Sequence, residues 1–456
     1  MNFYLAALGC KLNQAEVEAL ARKAEALGHC VVAGPENADW AILNTCTVTH
    51  IADRKSRQLI RQLHRLNPNL RLAVTGCYAQ VSADEARAIE GVHLVVGNAD
   101  KERIIERILA FAAPASVPSI PVASSGLAGS LGHTRAFVKI QDGCDNHCTY
   151  CIVAIARGPQ RSRAPSEVLA EVRARLSEGY REVVLTGVHI GAYGRDSAPG
   201  APLPPQAGWS LARLVRTILD ETPVPRLRLS SVEPWDLSSE LLDLWPNPGL
   251  CRHLHLPLQS GCDDTLRRMG RRYTTERFEQ FLTTIRQRTP EISITTDVIV
   301  GFPGESEAEF EASLAFIEKM RFARLHVFRY SPRPGTPAAN RTSSSLPHSR
   351  PEARLDPMSD SIPPPVAQMR SEALIALGRR MSLDFHRRFV GATVQVLCES
   401  AKVVCGGLLW SGLTDNYLRV SAPAQGNLAN TLVTMRCDDA DETGLRGEVL
   451  STPPIV

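Results

Sequence analysis

Three cysteines, Cys144, Cys148 and Cys151, fall within the single short run GCDNHCTYC. Soft thiolates at this spacing suit iron-sulfur centres or zinc, and three of them leave one corner of a four-iron cluster open to a ligand that is not protein. A structural zinc knot completed by His147 or a distant residue is the alternative, although such sites are usually built from two paired ligands. Cys10, Cys46 and Cys77 are scattered in sequence but alike in position, since each follows a short apolar run: FYLAALG, WAILNT and RLAVTG. The carboxyl ends of neighbouring strands in an open parallel sheet share one edge, and ligands bind just outside it, so three distant thiols can converge there. Burial as ordinary core thiols is the competing explanation, but it gives no reason for all three to stand at the same end of successive strands. The pattern predicts a second three-cysteine cluster. Cys30, Cys251, Cys262, Cys398, Cys405 and Cys437 have no ligand-like grouping and read as buried thiols. His253 and His255 share one strand face, but no cysteine stands at matching register, so they read as structural.

The elements that must carry these residues follow from periodicity. Between residues 1 and 113 the apolar runs alternate with amphipathic stretches, which predicts βαβαβ and an open parallel sheet. Its first helix is expected to open on an Asn13-x-x-Glu16 capping box and to end at Gly28, and Ser82-x-x-Glu85 repeats the opening signal. Residues 114–133, rich in Ala, Ser, Pro and Gly, read as a linker. Over 134–389, strand candidates at 136–140, 183–186, 226–229, 253–258, 292–300 and 323–328 alternate with helices at 166–178, 211–219, 275–286 and 307–319. This is the rhythm of a β/α barrel two units short of eight, with the CxxxCxxC run directly after its first strand, on the face where catalytic groups gather. A Pro/Ser-rich insert near 337–365 precedes a helix at 366–389. Residues 390–456 read as five short strands, at 392–397, 407–410, 417–420, 431–435 and 447–450, and predict a small closed β barrel. The fold class is α/β in three parts: an open parallel α/β domain, a partial (β/α)6 barrel and a small β barrel.

Composition sets the limits. A chain of 456 residues, 44% hydrophobic, has ample core for about three domains at roughly 150 residues each. Twelve cysteines in such a length are not a small disulfide framework, and with no apolar leader after Met1 the expected compartment is the reducing cytoplasm. No run of 18 or more apolar residues is present, so no membrane span is expected. The formal charge of +3 does not by itself announce nucleic acid, and any basic surface must be local.

The CxxxCxxC run, with Tyr150 before its third cysteine, resembles the cluster loop of the radical S-adenosylmethionine superfamily. The wider wording LGCKLNQAEVEAL, ILNTCTVTHIADRKSRQLIR, VTGCYAQ, IQDGCDNHCTYCIVAIARGPQRSR, LTGVHIGAYGRD, HLHLPLQSGCDDTLRRMGRRYT and TTDVIVGFPGE is similar to the methylthiotransferase family over nearly the whole chain. It is closest to the subgroup acting on threonylcarbamoyladenosine at position 37 of tRNA, set apart by TGxHxGxYG at 186–194, and GLTDNYLRV resembles the RNA-binding TRAM module. Ala154 stands where the family commonly has Pro, and the segment 340–365 is longer than the family pattern; neither touches a cluster ligand.

The resemblance implies two 4Fe-4S clusters, on Cys144, Cys148 and Cys151 and on Cys10, Cys46 and Cys77. It also implies S-adenosylmethionine as both methyl and radical source, and methylthiolation of adenine C2, a carbon with no acidic proton for ordinary acid-base chemistry. Implied partners are the tRNA anticodon loop, a reductase or flavodoxin-type electron donor and a sulfur donor. Candidates for holding S-adenosylmethionine are Thr186, Glu233, Gln259, Ser260 and Asp297, and His189 is either a substrate contact or a satisfied loop histidine. For RNA, a local stripe of arginines (Arg321, Arg324, Arg329, Arg333, Arg341, Arg350, Arg354, Arg379, Arg380, Arg387, Arg388) can neutralise phosphates. Trp410, Tyr417 and Arg419 can stack on unpaired bases or serve as core. Rival functions are methylthiolation of isopentenyladenosine tRNA or of a ribosomal protein side chain, and a non-catalytic iron-sulfur RNA-binding protein.

Overall fold

The structure, a computed structural model, describes residues 1–112, 134–196, 208–339, 361–404 and 407–451. The expected linker and most of the Pro/Ser-rich insert lie outside the described residues. Strands β1 (Asn2–Ala7), β2 (Cys30–Val31), β3 (Trp40–Thr45), β4 (Arg71–Gly76) and β5 (Val92–Val95) form one parallel sheet in the order β2-β1-β3-β4-β5. The sequence shows its three central strands; β2 and β5 are short edge strands whose patterns are too brief to read. Phe3, Leu5, Trp40 and Ile42 pack on one side of the sheet against Val17, Leu20 and Ile105, while Leu43, Leu72 and Val74 pack on the other against Ile60 and Leu63.

The first helix, Lys11–Ala26, does not begin as expected. Its N-cap is Cys10, and Asn13 and Glu16 lie inside it, buried, with no capping bond. Asn13 Nδ2 instead donates to the carbonyls of Leu8 (2.7 Å) and Thr45 (3.2 Å), and Glu16 faces cations of the neighbouring sheet. A capping box and a buried polar hub have the same sequence spacing; tertiary neighbours decide between them. Ser82 does stand at the start of a helix, Ala83–Arg87, but its side chain makes no cap bond, and Glu85 accepts from the Tyr78 hydroxyl at 3.2 Å.

The second body is an arc of parallel strands. β6 (Ala136–Lys139), β9 (Glu182–Thr186) and β10 (Arg226–Leu229) pair in the order β6-β9-β10. β11 (His253–His255), β12 (Ser293–Val300) and β13 (Arg324–Arg329) form a second set, and isolated bridges Leu227↔Leu250 and Ser231↔His255 join the two halves. A short antiparallel pair, β7 (Gln141–Asp142) with β8 (Arg161–Ser162), flanks the cysteine loop. β11 is shorter than the expected 253–258 because Pro257 lacks an N–H and Gln259 turns to φ 68°. Alternation along the strands separates two faces. Val138, Val183, Leu185, Leu227, Leu229, Leu254, Ile294, Val298 and Val300 join the helix-packed core. The concave face carries Lys139, Glu182, Arg226, Arg228, His253, His255, Thr295, Asp297, Arg324 and His326. A closed eight-stranded barrel fills its interior with apolar layers; this arc packs Phe137 and Val184 of its inner face on Ala15 of the first helix and otherwise carries mainly charged and hydrogen-bonding groups there.

The third body closes fully: β14 (Thr393–Val404), β15 (Gly407–Thr414), β16 (Arg419–Ala424), β17 (Leu432–Asp441) and β18 (Gly444–Ser451) form a barrel in the order β14-β15-β16-β18-β17. The helix Pro364–Arg387 leads into it, and Phe385 and Phe389 join its core. It docks on the amino-terminal ends of the arc's strands. Arg226 donates to the carbonyls of Leu413 (2.8 Å) and Gln395 (2.6 Å), Arg228 to those of Asp415 (2.8 Å) and Thr414 (3.0 Å), and Arg252 pairs with Asp415 at 2.6 Å.

Candidate active site

The three amino-terminal cysteines stand where the strand ends put them. Cys10 caps the helix after β1, Cys46 follows β3, and Cys77 opens the helix Cys77–Val81 after β4. Close packing requires the glycines beside them. At Gly9 (φ 99°) a Cβ would lie 2.7 Å from Cys46 Cβ and 2.8 Å from its Sγ, and at Gly76 (φ 96°) one would lie 2.4 Å from the Thr45 carbonyl oxygen. The three thiols are near enough to affect one another's ionisation. Burial pushes the Cys46 thiol up to about 11 and raises that of Cys10, against the opposing pull of Arg157. Cys46 and Cys77 are buried, whereas the surface of Cys10 is exposed although it lies deep among protein atoms. The two facts agree if Cys10 looks into an internal opening.

The second trio forms one loop on the carboxyl side of β6. Cys148 and Cys151 are raised by burial, Cys151 to about 12; Cys151 feels Cys148 and Cys144, and Cys148 feels Cys144 and the opposing pull of Arg271. Arg271 Nη1 lies 3.5 Å from Cys148 Sγ, and its guanidinium is held by Glu233 and the Pro257 carbonyl. Thr149 is pinned by the carbonyls of Met269 and Arg268, and Tyr150 meets Phe302 edge-on. Metal ligation needs thiolates, and desolvation makes the thiolate form of Cys148 and Cys151 costly unless a cation compensates it. Among the described residues, no three His, Cys, Asp or Glu side chains are set around a single metal ion. Two trios of thiols are the donor set that a cubane with one open corner takes, and in that sense the residues fit the group.

A buried polar network joins the two trios. Arg157, in the helix Val153–Arg157 just after Cys151, donates to Asn13 Oδ1 (2.7 Å), to Glu16 (2.9 and 3.3 Å) and to Asp142 Oδ1 (2.9 Å). Glu16 also takes Lys101 at 2.6 Å and Lys139 at 3.1 Å, and Lys139 pairs with Asp142 at 2.7 Å. Asn98 Nδ2 reaches Cys77 Sγ at 4.0 Å and donates to the Ala156 carbonyl at 2.6 Å. On the far side, Arg333 bonds Thr47 and Asp53, each at 2.7 Å, beside the Cys46 loop. Sequence reading passed over Asn13 and Glu16 as a cap and Arg333 as part of a basic stripe, and it missed Arg157, Asp142 and Arg271. A buried Arg has no sequence signal that distinguishes it from a surface one.

The remaining expected residues are placed as follows. Glu233 lies beside Cys148 through Arg271. Thr186, Gln259 and Ser260 are buried at the carboxyl ends of β9 and after β11. Asp297 lies further down the concave face, where His255 Nε2 meets it at 3.3 Å. His189 is 2.5 Å from Asp236 and 3.3 Å from Asn146; burial opposes its charge, but Asp236 and the Cys144 sulfur raise its pKa to about 9. His253 and His255 share Thr295 Oγ1. Cys251, Cys398 and Cys437 are buried, Cys30 and Cys262 are intermediate, and Cys405 lies outside the described residues.

The expected RNA contacts need correction. Trp410 is 5% exposed, packs in the small barrel's core and donates its indole N–H to the Gly426 carbonyl, so it presents no face to a base. Tyr417 is not in a strand: it turns at φ 66° and stacks on His253 at a centroid distance of 4.6 Å, inside the arc. Arg333 is buried against Asp53 and offers nothing to a phosphate. Arg379, Arg380 and Arg419 are exposed, with Glu442, Glu318 and Glu399 as neighbours. Arg341, Arg350 and Arg354 lie outside the described residues.

An arc of six parallel strands with a three-cysteine loop at its carboxyl side, joined to a parallel sheet carrying a second cysteine trio, defines a radical S-adenosylmethionine enzyme with an added cysteine-bearing domain. Comparison with known proteins agrees. The radical SAM superfamily matches residues 138–317, and uncharacterized protein family UPF0004 matches residues 2–97. The chain is 36% identical over 96% of its length to the threonylcarbamoyladenosine tRNA methylthiotransferase of Thermotoga maritima, covering 94% of that protein. It is 35% identical over 94% of its length to the Bacillus subtilis protein of the same name, covering 92% of it. It is 32% identical over 97% of its length to the tRNA-2-methylthio-N(6)-dimethylallyladenosine synthase of Desulfitobacterium hafniense, covering 96% of that protein. Among solved structures, the radical S-adenosylmethionine methyltransferase TsrM of Kitasatospora setae shares the fold at TM-score 0.54 and 16% identity, over 74% of this chain and 77% of that one. The chain belongs to the radical S-adenosylmethionine tRNA methylthiotransferase family. No helix among the described residues is long and apolar enough to cross a membrane.

Proposed function

We propose that this enzyme methylthiolates C2 of N6-threonylcarbamoyladenosine at position 37 of tRNA. Cys144, Cys148 and Cys151 would hold one 4Fe-4S cluster and Cys10, Cys46 and Cys77 a second. Bound there with S-adenosylmethionine, these groups supply sulfur, a methyl group and radical chemistry, while the chain binds, aims and excludes water. The observation that carries the reading is the adjacency of the two thiol trios, joined through Asn13, Glu16, Arg157 and Asn98. Cys10 faces an opening while its partners are buried, which suits a corner reached by substrate. Arg271 and Glu233, beside Cys148, are placed to orient the amino-acid end of S-adenosylmethionine, with Thr186, Gln259 and Ser260 at the same end of the arc. Arg379, Arg380 and Arg419 remain candidates for anticodon-stem phosphates. The reading places the enzyme in the cytoplasm, with a flavodoxin-type or reductase electron donor and a separate sulfur donor.

Iron and sulfide content of anaerobically prepared protein tests the cluster assignment: Cys46→Ala should retain about half of the wild-type iron. Nucleoside mass spectrometry of tRNA from cells lacking the protein tests the substrate. Methylthiolated threonylcarbamoyladenosine should vanish, and its persistence at normal level in cells without a second such enzyme refutes the assignment. A non-catalytic iron-sulfur protein would release no 5′-deoxyadenosine from S-adenosylmethionine under dithionite; the wild type should release it and Cys148→Ala should not.

A further inference from the structure

The interior of the arc holds a cation without an anion. Three positive groups stand over the Tyr417 ring: Lys11 Nζ at 5.6 Å, Arg135 at 5.6 Å and Arg228 at 4.8 Å from its centroid. Arg228 is answered by Glu182 at 2.6 Å and Arg135 by Glu399 at 3.1 Å. Lys11 makes no hydrogen bond or ion pair with another described residue; its contact is the ring face. Glu182 lies near enough to act on Lys11 but is held by Arg228, so this partly buried ammonium has no carboxylate in direct contact and a ligand can supply one.

The surroundings define which ligand. Lys11 directly follows Cys10 in the chain, and its ammonium reaches from there to the Tyr417 ring. Lys11 is close enough to His253 and His326 to bear on the charge of both. His326 stands across the strand pair from Asp297 and meets His255 edge-on at 5.7 Å, and these three are only partly buried. Near the Lys11 ammonium there thus stand the His326 imidazole and the Asp297 carboxylate, which His255 holds at 3.3 Å. The Tyr417 hairpin closes the amino-terminal end below them.

We propose that Lys11, with His326 and Asp297 nearby and His255 holding Asp297 in place, forms the subsite for the N6 substituent of the target adenosine, Lys11 taking the carboxylate of its threonyl group. This rests on the threonylcarbamoyladenosine reading and assigns the residues that select it. The urea N–H and hydroxyl groups of such a substituent match the remaining acceptor capacity of Asp297 and the His326 imidazole, and its carboxylate matches Lys11. A dimethylallyl group offers none of these and would leave the ammonium unpaired, which is how a polar site rejects an apolar analogue.

The test uses the cluster-loaded full chain and synthetic anticodon stem-loops bearing at position 37 threonylcarbamoyladenosine, its carboxyl methyl ester, or adenosine. Wild type should bind the free acid about tenfold more tightly than the ester, the scale of one charge-assisted hydrogen bond. Lys11→Gln, at wild-type iron content, should lose that preference, and Lys11→Arg should restore part of it. Equal binding of acid and ester by the wild type overturns the proposal with no variant needed. Equal weakening of all three RNAs by Lys11→Gln overturns it in favour of a phosphate contact. Weaker binding of S-adenosylmethionine with RNA discrimination intact overturns it in favour of the cosubstrate's carboxylate. A wild type that methylthiolates the free-acid RNA yet ignores the ester change refutes the subsite alone. One that acts only on dimethylallyladenosine refutes the functional reading.

Discussion

Replacing Glu16 by Gln removes a carboxylate that serves three cations, two of them buried, at the junction of the two cysteine-bearing bodies. Glu16 is 7% exposed and takes Lys101 (2.6 Å), Arg157 (2.9 Å), Lys139 (3.1 Å) and Asn44 Nδ2 (2.9 Å). Burial alone would raise its pKa, but Lys101, Arg157 and Lys139 together hold it well below the usual carboxylate range. A folded pKa below the unfolded one means that the stabilisation is present above about pH 4.5 and is lost as pH falls through the folded value. In Glu16→Gln, Arg157 and Lys139 keep Asp142, at 2.9 and 2.7 Å. Lys101, buried, keeps no carboxylate among the described residues. The loss is therefore that of one broken buried pair, ~3–5 kcal/mol. In a three-part chain a single unfolding free energy is poorly defined, so the measurement is native-state hydrogen exchange at pH 7 over Lys11–Ala26 and Trp40–Thr45, read as local opening free energy. Lys101→Met removes the stranded charge and should return at least ~2 kcal/mol when added to Glu16→Gln. A single-variant loss under ~1 kcal/mol, or strictly additive effects in the pair, refutes the hub.

Glu18, 3% exposed with neither carboxylate oxygen hydrogen-bonded, is raised by burial to about 7. A raised folded pKa makes its contribution present below about pH 4.5 and lost as pH rises through 7, so Glu18→Gln should stabilise by up to ~3 kcal/mol at pH 8 and by little at pH 4.5; a pH-independent change in melting temperature contradicts this. Trp410→Ala should cost the small barrel ~3–5 kcal/mol as a core truncation while leaving the RNA affinity of the folded fraction unchanged, as thermal melts and filter binding would show. Gly76→Ala, forced to φ 96° and against the Thr45 carbonyl, should destabilise by at least ~1–3 kcal/mol and lower iron retention at the amino-terminal trio; wild-type iron and melting temperature together would rule out the strained turn.

The primary sequence by itself determined the chemistry and its supports: both cysteine trios, the three central strands of the first sheet, all six strands of the arc and the five of the small barrel follow from short-range spacing and period. Cysteines clustered within one loop, or repeated at one end of successive strands, are local facts, and so is alternation. Tertiary structure decided what the polar residues do. Asn13 and Glu16 have the spacing of a helix cap but became a hub because the short helix Asn98–Arg103 after β5, strand β6 and the helix after Cys151 bring Lys101, Lys139 and Arg157 to them. Trp410 and Tyr417 have the composition of a base-stacking platform, yet one fills a core and the other plugs the arc. Lys11 is one charged residue in a helix start until three strands and a hairpin surround it and leave it the cation without a partner. Periodicity records which face of an element is buried; it does not record which other element arrives there, and the fate of a buried charge depends on that arrival alone.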